Sequence, residues 1–215
     1  GYSMTFGEAF LAFLFGSIIL EVIMCVVGFI GQREGLNTSL LARWTGFGEI
    51  GASLVGLAIG ISLIGWFGIQ SAISAESLDA LMPGALPVWA WSLIFGLIVT
   101  GIVAFGFVGM QWLANVTVPL FLILVGWSVI TELTRHDIGE LLTGPAPGPT
   151  MGVWVGTGIV AGGLIVGAII TGDTTRFNRS RADVIKQTVV GVSLGEFVIG
   201  LAGVLLAHAA ASGNI

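Results

Sequence analysis

Trp66 and Gln70 stand four residues apart in Ile64-Gly65-Trp66-Phe67-Gly68-Ile69-Gln70, so a helix places both on one face. A flat aromatic ring with an amide one turn away suits a planar ligand that stacks and hydrogen-bonds. Glycines at 65 and 68 leave open space beside the ring. The same pair also reads as a core tryptophan with a glutamine bonded to a neighbouring helix. Gly162-Gly163 falls in the middle of another apolar run. A helix broken there offers free backbone groups to a substrate, and an unbroken one uses its small residues for tight packing. Glu21 and Glu196 each sit near the centre of an apolar run. An ionised carboxylate at that depth costs on the order of 3 kcal/mol by insertion scales. Each must be protonated, paired or turned toward water. The functional reading is a proton or cation relay, and the plain one is a neutral, hydrogen-bonded structural carboxyl. If the two approach within hydrogen-bond range, they share one proton and titrate as a pair.

Two familiar catalytic patterns fail on context. Gly191-Val192-Ser193-Leu194-Gly195 fits G-x-S-x-G, but that nucleophile needs a strand–turn–helix elbow and here lies in an apolar helix. Gly156-Thr157-Gly158-Ile159-Val160-Ala161 fits G-x-G-x-x-A, but no strand precedes it. Both read as small residues for helix packing. No polar catalytic pair stands at one depth, so an intramembrane hydrolase is not supported and the chain reads as no enzyme.

The elements that must position these residues follow from composition. Of 215 residues, 55% are hydrophobic and 9% charged, against about 25% charged in soluble domains. That excludes a soluble enzyme and a disordered chain. Seven basic against twelve acidic residues give a net charge of −5, which leaves no basic footprint for nucleic acid. One cysteine, Cys25, excludes an internal disulfide framework and a cysteine-based zinc site. Glycine, at 34 residues, is about twice its usual share of roughly 7%, as suits helices in close contact within lipid.

A crossing helix needs about 20 apolar residues. Six are predicted: Phe10–Ile30, Ala52–Ile73, Val88–Val108, Trp112–Thr131, Met151–Thr171 and Thr188–His208. The fold class is an all-α polytopic membrane protein forming one transmembrane domain over 1–215, with the lipid bilayer as its partner. The long loop Glu132–Thr150 carries Gly144-Pro145-Ala146-Pro147-Gly148-Pro149, which stops any helix. Pro119 should kink the fourth helix, and Asp173 is available to pair with Arg176. Six of the seven basic residues (Arg33, Arg43, Arg176, Arg179, Arg181 and Lys186) fall in the first and fifth loops, and only Arg135 opposes them. Positive loops stay inside, so the first, third and fifth loops are expected to be cytoplasmic. Both termini then face outward. With a start at Gly1-Tyr2-Ser3 rather than methionine, this reads as a piece of a longer chain.

Several segments together resemble the nucleobase:cation symporter-1 family, the cytosine, purine, allantoin and hydantoin permeases. They are Gly28-Phe29-Ile30-Gly31-Gln32-Arg33-Glu34-Gly35-Leu36, then Leu41-Ala42-Arg43 with Phe47-Gly48, then Gly65-Trp66-Phe67-Gly68. Val118-Pro119 follows, and Gly172-Asp173 with Thr175-Arg176-Phe177 and Arg179 closes the set. The resemblance implies a leucine-transporter-like five-plus-five inverted repeat, of which the six helices here are the second through seventh. It implies a carrier in the plasma or inner membrane, importing a planar nitrogenous ring with Na+ or H+ and using no resident cofactor. Most ligands of the coupling ion would lie outside this stretch. By the same resemblance Trp66 is the stacking tryptophan and Gln70 matches the glutamine of hydantoin permeases. Leu63 stands where cytosine permeases place a glutamine. Gly163 and Leu164 fall at the sixth-helix break, where relatives often carry an aromatic. A non-transporting membrane scaffold is the rival reading, and the Trp66/Gln70 pair and Gly162-Gly163 argue against it.

Overall fold

The computed structural model describes residues 3–146 and 148–212. Gly1 and Tyr2, and Pro147 of the expected breaker run, lie outside the described residues. All regular structure among the described residues is helical. In chain order the helices are α1 (Phe6–Glu34), α2 (Thr38–Ala42), α3 (Gly48–Leu81), α4 (Val88–Val103) and α5 (Phe107–Arg135). Then come α6 (Ile138–Thr143), α7 (Val153–Ile169), α8 (Thr171–Thr175), α9 (Arg181–Ile185), a π-helical stretch Lys186–Ser193 and α10 (Leu194–Ser212). Among the described residues four runs are long and apolar enough to cross a membrane. The third and fifth expected crossings are shorter, at 16 and 17 residues. They rise about 24 and 26 Å, less than the roughly 30 Å hydrocarbon core.

Helix packing resolves into two units. Residues up to Val55 and from Leu124 onward form one, and Gly56–Ile123 forms the other.

In the first unit α1 is the central post, packed against α7 most extensively and against α8, α9, α10 and the π-helical stretch. Its start is written locally. The Thr5 hydroxyl accepts from Glu8 N–H at 3.3 Å, and the Glu8 carboxylate accepts from Thr5 N–H at 3.0 Å, a reciprocal cap. Its end is Gly35, at φ 66, a left-handed cap that glycine adopts without strain. The buried residues Ala9, Ala12, Gly16, Leu20, Met24, Gly28 and Gly31 recur every three or four positions. The opposite face carries exposed Ile18, Val22 and Val26. Both faces are apolar, so size rather than polarity separates them. Apart from Leu20 and Met24, small residues turn inward, and bulky ones face outward, the order expected when lipid is the solvent. The closest approach of α1 to another backbone is at Gly31, where an added Cβ would stand 2.7 Å from Gly172 Cα. Farther along, Phe15 stacks on Trp154 of α7 at 5.3 Å and Phe10 meets Phe197 of α10 edge-on at 5.2 Å.

Between α2 and α3 the chain corners at Gly46 and Gly48, with φ 107 and 64, values that favour glycine. The corner does not hold α2; Asp173 does. Its Oδ1 accepts from Thr38 N–H at 2.7 Å, and the Thr38 hydroxyl donates to the Ile169 carbonyl at 3.1 Å. The expected Asp173–Arg176 pair is not made among the described residues. Arg176 instead lays its guanidinium over the Phe177 ring at 4.7 Å. An unfilled backbone donor at the start of α2 is the better-placed partner for the carboxylate.

α5 continues through Pro119 as a helix. One further expectation is corrected. The loop before α7 is not wholly irregular, because α6 forms in it and ends where Gly144-Pro145 begins.

The basic-residue bias fixes an expected sidedness. Cysteines introduced at exposed Leu40 and Ser180 should resist an impermeant thiol reagent in intact cells and react after permeabilisation. Labelling of both in intact cells would reverse the orientation.

Candidate functional site

In the unit Gly56–Ile123, Leu63, Trp66 and Gln70 follow one stripe of α3 at i, i+3 and i+7. All three are exposed, Trp66 at 41% and Leu63 at 43%. A Cβ added at Gly65 or Gly68 would meet no atom within 4 Å, so nothing packs on α3 at those two positions. The neighbouring face does the packing. There the Phe67 ring lies 3.6 Å from the Cβ position of Gly96 on α4, and Ser71 and Ala75 are buried. One helix thus separates a packed face from a free one, and the stacking pair lies on the free one.

The first unit holds the remaining candidates, and two expectations about them do not survive. Gly162 and Gly163 do not break their helix, since α7 is continuous from Val153 to Ile169. Glycine costs roughly 1 kcal/mol of helix propensity, but it keeps its N–H and creates no clash, as proline would. The interruption falls instead at Ile170, with φ −85 and ψ 8, before α8 begins. Nor are the two glycines packing contacts, as nothing comes within 4 Å of their Cβ positions. Leu164, 39% exposed, lines a cavity of about 300 Å³ with Leu20, Met24 and Thr188. Its polar lining includes Thr174 and Gln187, which are tied by a 2.7 Å hydrogen bond.

The second correction concerns the carboxyl pair. Glu21 and Glu196 make no hydrogen bond to each other among the described residues. Glu21 Oε1 accepts from the Thr188 hydroxyl at 2.6 Å and from the Cys25 thiol at 3.0 Å, and Oε2 accepts from the Ser193 hydroxyl at 2.6 Å. The two hydroxyl bonds have the length of O–H···O⁻ contacts. Three donors therefore satisfy Glu21 without a second carboxyl. Glu196 differs. Its Oε2 is sealed from solvent and has no hydrogen-bond partner among the described residues.

Thr188, Ser193 and Cys25 are the residues that sequence reasoning missed. Ser193 drew notice only inside a catalytic pattern it does not serve. The available signal was a pair of hydroxyls five residues apart on the helix opposite a mid-span acid. No group of three or more His, Cys, Asp or Glu side chains able to hold a metal ion is found among the described residues.

A model of the family described as "Permease for cytosine/purines, uracil, thiamine, allantoin" matches residues 1–214. The cytosine permease of Escherichia coli (strain K12) is 30% identical over 206 residues, which cover 94% of this chain and 48% of that relative. The purine-cytosine permease FCY2 of Saccharomyces cerevisiae is 26% identical over 176 residues, covering 76% of this chain and 29% of that one. Among solved structures, Mhp1, a nucleobase-cation-symport-1 family transporter in a closed conformation with bromovinylhydantoin bound, matches with a TM-score of 0.74. The match is 22% identical and covers 95% of this chain and 46% of that one, a likeness of fold. The chain spans about half the length of the bacterial relative it matches.

Proposed function

The chain belongs to the family of permeases for cytosine/purines, uracil, thiamine and allantoin, and from that premise we propose that it is the ring-binding part of a cation-coupled nucleobase importer. It is a multi-pass protein of the cell membrane. The cargo in this reading is a planar nitrogenous ring of the cytosine, purine, allantoin or hydantoin type, moved with Na+ or H+ and without bond chemistry. Residues 1–215 act as one transporter domain.

One observation carries the reading. The Leu63–Trp66–Gln70 stripe is exposed, Trp66 at 41%. A core tryptophan would be buried. The indole face offers stacking, which every heteroaromatic ring accepts. The Gln70 amide offers both a donor and an acceptor to a ring edge, and Leu63 supplies an apolar border. In the other unit, Gly162 and Gly163 present an open helix surface and Leu164 lines the cavity there, with no freed backbone groups.

Of the two mid-span acids, Glu196 is the coupling group in this reading, because its Oε2 has no partner to hold it. Glu21 is fully engaged and serves structure.

The test is uptake of radiolabelled cytosine, uracil, allantoin and a hydantoin by the full-length protein, with and without sodium and proton gradients. Saturable, gradient-dependent uptake of at least one is expected, and no uptake of any sinks the reading in favour of a scaffold. Glu196→Gln keeps the shape and removes the charge. It should abolish gradient-driven uptake while leaving substrate exchange intact. Normal driven uptake in that variant removes Glu196 from coupling.

A further inference from the structure

Thr188 and Ser193 are five residues apart, yet one carboxylate holds both hydroxyls at 2.6 Å. In an α-helix, at 3.6 residues per turn, such residues point about 140° apart. In a π-helix, with its i→i+5 bonds and about 4.4 residues per turn, they point only about 50° apart. The two hydroxyls are the third and last residues of the π-helical stretch Lys186–Ser193. Bridge and wide turn therefore need each other.

We propose that Glu21 is a positioning residue that latches this stretch in its π register and so decides which face of α10 meets α1. The anchor on the near side is firm. Val184 and Thr188 are both 0% exposed, and the Thr188 hydroxyl also lies 3.1 Å from the Val184 carbonyl. That carbonyl gives Thr188 an alternative acceptor once Glu21 is lost. On the far side, Phe197 meets Phe10, and Gly200 lies against the Phe13 ring.

A π turn takes up about one residue more than an α turn. Relaxation to α-helix with the near side fixed would therefore turn α10 by about 100° and move it about 1.5 Å along its axis. The place held by Phe197 would pass to residue 196. The latch thus sets two alternative presentations of α10, one with Phe197 against α1 and one with Glu196 there. This inference does not depend on which cargo the protein carries.

Disulfide cross-linking in the full-length protein in membranes tests it, with products identified by mass spectrometry. In the parent, Phe10→Cys should pair with Phe197→Cys and not with Glu196→Cys. In the Glu21→Ala background the preference should move to position 196. The product ratio should change about tenfold or more, as loss of a hydrogen bond to a charged group implies. Ser193→Ala removes one arm of the bridge, leaves Glu21 in place and should shift the ratio the same way. If Glu21→Ala does not accumulate, Ser193→Ala decides the question. Retention of the 10–197 product in Ser193→Ala, or in both variants, overturns the proposal. A merely structural Glu21 would change the yield of the product, not the position that forms it.

Discussion

Trp66→Ala weakens binding of the transported ring about 5- to 150-fold, since stacking of a base on an aromatic side chain contributes about 1–3 kcal/mol. The loss should appear as lower affinity at normal surface abundance. The reason lies in where the indole sits. It is 41% exposed, so its removal leaves no sealed cavity. Alanine is also the best helix former, so α3 keeps its course. Trp66→Phe, which retains a smaller ring, should lose less. Gln70→Ala should be selective instead, penalising rings that present a polar edge. Equilibrium binding of labelled substrate to the purified full-length protein is the measurement. An unchanged dissociation constant for Trp66→Ala places the ring elsewhere.

Gly31→Leu prevents the protein from accumulating, and Gly31→Ala lowers its thermal midpoint in detergent. A Cβ at Gly31 would lie 2.7 Å from Gly172 Cα and 3.0 Å from Gly172 O. Those are backbone atoms, which cannot swing aside as the end of a side chain can. Overpacking of this kind costs about 1–3 kcal/mol, more than the roughly 1 kcal/mol that alanine returns in helix propensity. The strain also falls beside the Asp173–Thr38 bond that seats α2. Gly162→Ala is the control. It meets nothing within 4 Å and should leave the midpoint unchanged or raise it slightly. Equal shifts for Gly31→Ala and Gly162→Ala would falsify the close-contact account.

That the chain is built of long apolar helices was legible because lipid imposes a length and a composition that need no knowledge of neighbours, although four rather than six of the expected crossings meet that length among the described residues. The start and end of α1 were legible in principle for the same reason, since Thr5, Glu8 and Gly35 act within one turn. What failed was whatever depends on a partner distant in sequence. Gly162-Gly163 looked like a break because glycine is permissive, yet permission is not a cause. The interruption at Ile170 has no local mark and follows directly on the Ile169 carbonyl that Thr38 of α2 engages. The π-helical stretch Lys-Gln-Thr-Val-Val-Gly-Val-Ser is likewise unremarkable in composition. The face carrying Trp66 and Gln70 was readable because a spacing of four residues fixes their alignment whatever surrounds the helix.

The bridge from Glu21 to Thr188 spans 167 positions, and that separation has a consequence for synthesis. At about 5–20 residues per second, Thr188 is made roughly 8–33 s after Glu21. For that interval the acid of α1 is in or entering the bilayer without either hydroxyl that later holds it. Within its own helix it has the Cys25 thiol and the apolar Ile18, Ile19, Val22 and Ile23 around it, against a cost on the order of 3 kcal/mol for a charged carboxylate. Helix α1 is therefore at its most vulnerable on the ribosome, before the later helix that completes it has been made. Slowing translation between residues 21 and 188 should raise the fraction degraded, and Glu21→Gln should reduce that sensitivity.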